Sequence, residues 1–195
     1  MVSHTPDRRR VVARLLQDRS GLLVVTGLGS PGYDVHAAGD HDGNFYLWGA
    51  MGAAALMGLG LAQAQPERTV LVITGDGEQL MGLGGLATIA VAAPNNLVIV
   101  VLDNGHFGET GMQQSHTGFG LDLAAIAAAA GFADARTVTD AAGVAAVAQA
   151  IAEPASGPRL YVVKIRAENL PRSLPARDAV FGKNRLRAQL GLGVS

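Results

Sequence analysis

Residues 69–83 read TVLVITGDGEQLMGL. An aliphatic run, Val70 through Ile73, ends in Thr74, and an aspartate then stands between two glycines. The run lacks the apolar–polar alternation of a half-exposed strand, so it reads as a strand buried on both faces. Strands of that kind belong to parallel sheets, whose ligands bind outside the carboxyl ends. Asp76 sits at such an end. Gly75 and Gly77 allow the backbone to turn sharply and to approach a ligand closely.

Working outward, the chain alternates between two periodicities. The spacing predicts helices over 6–18, 51–63, 78–92, 121–130 and 140–152, the last capped by Asp140 or Thr139. Strands are expected over 21–26, 70–74, 97–103, 135–139 and 159–167. This order gives an α/β fold, a doubly wound parallel sheet with helices on both faces. Residues 27–44, GLGSPGYDVHAAGDHDGN, read as a long loop rich in Gly and Asp. The expected organisation is one domain over 1–167 and a charged, Pro-containing arm over 168–195 that contacts a partner.

Composition narrows the classes. The 195 residues are 49% hydrophobic and include 26 glycines, which suits a globular domain with closely packed helices. There is no cysteine, so disulfide, iron–sulfur and thiol chemistry are excluded. The uncharged stretch 45–62 has nearly the length of a membrane span, but its Gly and Ala content and lack of flanking basic residues point to a buried helix. The stretch MVSHTPDRRRVVARLL has no apolar core of the signal-peptide kind, and a cytoplasmic setting is expected. Net charge is −1, and between Ser20 and Pro158 the only Lys or Arg residues are Arg68 and Arg136. No basic face runs through the folded middle, which argues against nucleic acid as partner. The arginines at the two ends are expected to be solvated or to touch a partner.

That charge map bears on Asp76. A phosphate held by the backbone amides at a helix start would be repelled by the carboxylate unless a cation lay between them. Mg²⁺ is such a cation: hard, oxygen-seeking and commonly shared with substrate phosphates. A second oxygen ligand is available at the next strand end, Asp103-Asn104-Gly105, where Asn104 offers a neutral amide oxygen. The intervening helix and strand return the chain to the same edge of the sheet.

These residues resemble the thiamine diphosphate motif. Gly75-Asp76-Gly77 is followed after 26 residues by Asn104, preceded here by Asp103 where the family has a first asparagine. Gly49-Ala50-Met51-Gly52 resembles the glycine–small–bulky–glycine element of the family's decarboxylases, and Thr26-Gly27-Leu28-Gly29-Ser30 its diphosphate loop. Asn44 to Gly52, Leu80-Met81, Leu86 to Ala90, Val100 to Gly105, and Gly111 with Gln113 are similar to the sulfopyruvate decarboxylase β subunits and the matching half of phosphonopyruvate decarboxylases. The sequence departs from them at Ser30-Pro31-Gly32, where those relatives tend to carry Ser-Arg-Glu.

The resemblance implies thiamine diphosphate and Mg²⁺ as cofactors and decarboxylation of a small 2-oxo acid. It assigns Mg²⁺ to Asp76, Asn104 and the His106 carbonyl. Diphosphate contacts fall to Gly27, Ser30, Gly75 and the amides of Gly77 and Glu78. The Gly49 carbonyl would receive the aminopyrimidine, and Met51 would hold the cofactor bent. The activating glutamate belongs to a pyrimidine-binding domain for which this chain has no room. A separate subunit is therefore expected, in a hetero-oligomer such as α2β2 or larger, with no membrane or nucleic-acid partner. His106, Glu109, Gln113 and His116, which follow the metal loop, are candidates for substrate contact or proton transfer.

Other readings compete. GLGSPG, residues 27–32, fits the dinucleotide pattern G-x-G-x-x-G, but no amphipathic helix is expected after it to receive a pyrophosphate. A non-catalytic, regulatory subunit of the same fold is a further alternative. His36 and His41, with Asp34, Asp40 and Asp42, could form a metal cluster, though a solvated, mobile loop is the expectation.

Overall fold

In the computed structural model, residues 5–19 and 21–193 are described. The first four residues of the amino-terminal stretch and the last two of the arm lie outside them. In chain order the elements are α1 (Arg8–Leu15), β1 (Leu23–Thr26), α2 (Ser30–Ala37), β2 (Asn44–Tyr46), α3 (Ala54–Ala64), β3 (Val70–Gly75), α4 (Asp76–Met81), α5 (Gly85–Ala92) and β4 (Leu97–Asp103). A short hairpin, β5 (His106–Phe107) and β6 (Gln113–Gln114), follows. The chain continues through α6 (Leu123–Ala130), β7 (Asp134–Val138), α7 (Ala141–Ala152), β8 (Arg159–Lys164) and α8 (Ala179–Gln189).

Six strands form one sheet in the order β2-β1-β3-β4-β8-β7, and every pairing is parallel. Alternate residues of each strand feed two cores. Leu71 and Ile73 of β3 join Val11, Val12, Val35 and Val147 of α1, α2 and α7 on one face. Val70 and Val72 join Ala55, Leu59, Leu86, Ile89 and Leu123 of α3, α5 and α6 on the other. Double-sided burial accounts for the uninterrupted apolar runs of β3 and β4. The chain winds one way from β1 to β2 and the other way from β3 onward, so the sheet reverses direction between β1 and β3. In open α/β sheets such a reversal leaves a crevice at the carboxyl ends of the two strands.

Small residues let the helices approach closely. A Cβ on Gly58 of α3 would lie 2.3 Å from Val72 Cγ2. Aspartates cap several helices: Asp7 accepts from the amide of Arg10 (3.0 Å), Asp140 from Gly143 (2.8 Å) and Asp178 from Val180 (2.9 Å). Among the described residues, no helix is long and apolar enough to cross a membrane.

The structure corrects four expectations. The helix expected over 78–92 is two helices, broken at Gly82–Gly84, where Gly82 packs so closely on Gly52 that a Cβ would lie only 2.1 Å from the Gly52 carbonyl oxygen. Residues 27–44 are not one loop. Gly29 turns with φ +74°, Pro31 stands in the first turn of α2, and that helix carries Asp34 and His36 before β2 pairs with β1. Asp34 is accordingly buried, not solvated. The arginines of the two ends are not generally solvated either: Arg8 is 4% exposed, and the segment after Ala167 folds back on its own chain. In that segment the Trp48 indole donates to the Ala176 carbonyl (2.9 Å), Arg185 pairs with Asp40 (2.6 Å), and α8 lies along β2, covering an open sheet edge.

The contact between Gly52 and Gly82 joins the packing to the loops above the sheet. Gly82→Ala should cost about 1–3 kcal/mol through overpacking against backbone, lowering the melting temperature by roughly 2–4 °C per kcal/mol. Gly84→Ala, with nothing within 4 Å of the added Cβ, should leave it unchanged or slightly raised. Thermal denaturation of the two variants checks both.

Candidate cofactor site

Four loops meet above the reversal point: Gly27–Ser30 after β1, Gly49–Gly52 before α3, Gly75–Glu78 after β3, and Asp103–Gly108 after β4. They surround a cavity of about 160 Å³ lined by Ser30, Met51, residues 75–78, Asn104 and His106, among others. A larger depression of about 780 Å³ lies near the amino ends of the strands, lined by Arg14, Asp18, Glu67 and Arg68, far from these loops. The chemistry converges on the smaller one.

Asp76 is the most constrained residue there, 2% exposed in the first turn of α4. Its Oδ2 accepts a 2.5 Å hydrogen bond from Ser115 and lies 3.1 Å from the Thr117 hydroxyl. Thr117 is closer to Asp103 Oδ1, at 2.8 Å, and has one proton to give. The shorter distance assigns that proton to Asp103 and the Ser115 proton to Asp76. Burial pushes the Asp76 carboxyl up from the usual range, and the nearby Asp103 carboxylate adds to this; the Ser115 and Thr117 hydroxyls pull the other way.

Asp103 is the departure from the thiamine diphosphate motif, and its surroundings account for it. Its Oδ2 pairs with Lys164 at the end of β8 (2.5 Å), directly in register, and its Oδ1 also accepts from the Gly105 amide (2.9 Å). The carboxylate is thus neutralised by the neighbouring strand. Asp76 has no such cation: among the described residues, no Lys, Arg or His nitrogen lies within ion-pairing distance of it. Asn104 lines the same cavity, with its Oδ1 accepting from the His106 amide (2.9 Å) while His106 Nδ1 lies 2.8 Å from the Asn104 carbonyl oxygen.

Glu78 is also buried, and its side chain braces the loops. Its Oε2 accepts from the Leu28 amide (2.7 Å) and from the Thr74 hydroxyl (3.0 Å). A Cβ on Gly27 would lie 1.9 Å from that oxygen, so the brace requires glycine at 27. Burial raises the Glu78 pKa; the Leu28 amide, the Thr74 hydroxyl and the nearby Ala54 and Gly52 amides oppose the rise. Gly77 lies against Phe107, where any Cβ would come within 2.7 Å of the ring, and faces Met51 Cε. Ala50, a non-glycine residue at φ +54°, carries backbone strain in the Met51 loop, whereas Gly52 takes its left-handed turn (φ +97°) without it.

The structure brings together Ser30, Met51, Gly75, Asp76, Gly77, Glu78, Asn104 and His106 at this crevice. Gly27 sits behind it against Glu78, and Gly49 does not line it. Glu109 also lines it; it accepts from Ser30 (3.3 Å) and pairs with Arg172 of the arm (3.0 Å). Gln113 and His116 do not line the cavity. Gln113 exchanges hydrogen bonds with Thr110, and His116 is exposed with its ring edge-on to Phe107. Of the histidines weighed as metal ligands, His36 lies in α2 and bonds Ser173, while His41, between α2 and β2, accepts from the Gly43 amide at Nδ1; among the described residues no group of three or more His, Asp or Glu side chains could hold a metal. Sequence reasoning missed Ser115, Thr117, Lys164 and Arg8. Lys164 was open to discovery, because it ends the strand that flanks Asp103.

The comparisons agree with this architecture. Residues 32–165 match the family described as thiamine pyrophosphate enzyme, C-terminal TPP binding domain. The chain belongs to that family. It is 41% identical over 126 residues to the sulfopyruvate decarboxylase subunit beta of Methanothermobacter thermautotrophicus, covering 65% of this chain and 67% of that one. It is 40% identical over 176 residues to the phosphonopyruvate decarboxylase of Streptomyces viridochromogenes, covering 87% of this chain but 43% of that one. The fold also superposes on benzoylformate decarboxylase from Polynucleobacter necessarius with a TM-score of 0.69 at 20% identity, over 84% of this chain and 34% of that one. The chain thus spans less than half of the single-chain relatives. The family match also displaces the dinucleotide reading of GLGSPG, although the helix that reading lacked is present as α2.

The Asp103–Lys164 pair carries a test. Lys164→Met should destabilise the protein by about 1–3 kcal/mol, less than the loss from a fully buried pair because Lys164 is 38% exposed. Adding Asp103→Asn, which restores the family's residue, should recover most of that loss. Denaturant unfolding of the single and double variants measures the coupling.

Proposed function

We propose that this chain is the diphosphate-binding subunit of a two-chain enzyme that uses thiamine diphosphate and Mg²⁺ to decarboxylate a small 2-oxo acid of the sulfopyruvate or phosphonopyruvate kind. The observation that carries the reading is Asp76. A buried carboxylate with no compensating cation is costly, and this one stands at a strand end beside a second oxygen donor, Asn104. Those residues fit a divalent ion. Asp76, Asn104 and the His106 carbonyl would hold it, with Ser115 orienting Asp76 from behind and Thr117 orienting Asp103. Ser30 and the amides of Gly77 and Glu78 would meet the diphosphate, and Gly49 and Met51 the rest of the cofactor.

When bound, thiamine diphosphate supplies the electron sink that 2-oxo acid decarboxylation requires. The chain's own part is to bind, orient and keep water out. Met51 and Phe107 close the apolar side of the crevice. His106 and Glu109, at the wall, are placed to hold or move a proton near substrate; Gln113 and His116 lie further along the same loop. The cavity, about 160 Å³, is smaller than the roughly 300 Å³ or more usual for small-molecule sites, which supports a half-site completed by another chain. The relatives' names support the same reading, since some are β subunits and others carry the additional length in one polypeptide. The second chain would supply the activating glutamate in a hetero-oligomer such as α2β2, and the segment from residue 168 onward is a candidate contact for it.

Titration calorimetry of the full chain with thiamine diphosphate tests the reading. Saturable binding that needs Mg²⁺ and is lost in Asp76→Ala is the expected result. Equal affinity in the variant, or in the presence of a chelator, would contradict the metal assignment. Decarboxylation of sulfopyruvate should appear only on addition of a pyrimidine-binding partner subunit.

A further inference from the structure

The loop Ser30-Pro31-Gly32 at the cavity mouth supplies no cation, yet the cavity contains one. Arg8, on the first turn of α1, is 4% exposed and lines the same wall as Ser30, Pro31, Asp76 and Asn104. Among the described lining residues it is the only Lys or Arg. Its Nε lies 3.1 Å from Asp34 Oδ2, whose side chain is fully buried. Arg9 Nε donates to the other Asp34 oxygen at 3.2 Å, and Arg9 also donates to the Pro171 carbonyl of the arm. Two guanidinium groups therefore share one buried carboxylate, with Asp7, itself paired to Arg166, the next acid nearby. The Arg8–Asp34 contact is an ion pair without a directional hydrogen bond, since neither Arg8 Nε nor Asp34 Oδ2 has a hydrogen-bond partner. Arg9 is turned toward the arm, and of the two arginines only Arg8 lines the cavity.

Burying a guanidinium with incomplete compensation is costly, and an anionic ligand in the cavity would offset that cost. The other charges on the cavity wall are acidic. Glu78 is committed to Leu28 and Thr74, Glu109 to Arg172, and Asp76 accepts from Ser115 and has no cation within ion-pairing distance among the described residues. Arg8 is then the one fixed positive charge available there to an anion, and the guanidinium fork suits phosphate, sulfonate and carboxylate oxygens.

We infer that Arg8 is the oxyanion-binding cation of this cavity, brought from the amino-terminal helix to a site whose own loops carry none. The inference rests on the cofactor reading for the source of the anion, which is either the diphosphate of the cofactor or the second acidic group of the substrate. Two properties follow in either case. Asp34 and Arg9 act as positioning residues that hold Arg8 in place, and exchange of Arg8 for a neutral residue weakens an anion rather than the thiamine portion.

The test is calorimetry of the full chain with inorganic pyrophosphate plus Mg²⁺, and with thiamine diphosphate plus Mg²⁺. Wild type is compared with Arg8→Gln, Arg8→Lys and the paired variant Arg8→Met/Asp34→Asn, which removes both charges and so guards against misfolding. Folding of each is checked by circular dichroism. Loss of roughly tenfold or more in affinity for both probes in Arg8→Gln and the paired variant, with partial recovery in Arg8→Lys, assigns Arg8 to the diphosphate. Unchanged binding of both probes, with KM raised at least tenfold for sulfopyruvate but not for pyruvate in the assembled enzyme, assigns it to the substrate. Folded variants that alter neither would overturn the inference and leave Arg8 a structural ion pair. Wild-type chain that takes pyrophosphate but not thiamine diphosphate would reject the cofactor reading while leaving Arg8 to be decided by the variants. Wild-type chain that takes neither would reject both.

Discussion

The structure turns on a carboxylate that should not be comfortable where it is. Asp76 is withdrawn from water, held by Ser115 and adjacent to Thr117, and its nearest charged neighbour is another carboxylate. Burial of this kind is destabilising unless a positive charge completes it. Asp103 shows what completion looks like: the same hydroxyl network, but with Lys164 in register on the next strand. One carboxylate is balanced within the chain, and the other is left for a ligand to balance. The site is thereby built into the fold at the cost of some stability in the cofactor-free protein.

The rest of the architecture serves to hold that arrangement. The parallel sheet delivers β1, β3 and β4 to one edge with their loops facing the same crevice, and the reversal between β1 and β3 keeps α2 and α4 from closing it. Glu78 ties the β1 loop to the start of α4, and the contact of Gly52 with Gly82 ties the Met51 loop to its end. Glycine at 27, 77 and 82 is a matter of space in each case, because a side chain would strike Glu78, Phe107 or Gly52. The arm contributes from the other side, through Arg172 on Glu109 and α8 along β2.

How much of this was legible in the sequence depends on the range of the interactions. The buried strands were plain, because Val70–Ile73 and Leu97–Leu102 are unbroken apolar runs, and α7 was announced by Asp140. Asp76 and Asn104 could be paired from spacing, since one helix and one strand must bring them to the same edge. Helix α2 was hidden by Pro31 and Gly32 and by Asp34, a residue that looks solvated until Arg8 and Arg9, about 25 positions away, are seen to meet it. Helix α8 has no apolar stripe and is held by its Asp178 cap and by Arg185 on Asp40. Ser115 and Thr117 carried no signal at all, because hydroxyls that orient a ligand obey no spacing rule. Charge counted by segment was misleading for the same reason: the arginine that lines the cavity comes from the amino-terminal helix, outside the segment that holds the cavity's loops.

The most direct measurement is diffraction from crystals of the chain grown with thiamine diphosphate and Mn²⁺ in place of Mg²⁺, using the anomalous signal to locate the ion. The account predicts a single strong peak between the Asp76 carboxylate and the Asn104 amide oxygen, at about 2.0–2.3 Å from each, in contact with the diphosphate. A bound cofactor whose ion lies elsewhere, with Asp76 still facing only Ser115 and Thr117, would contradict it.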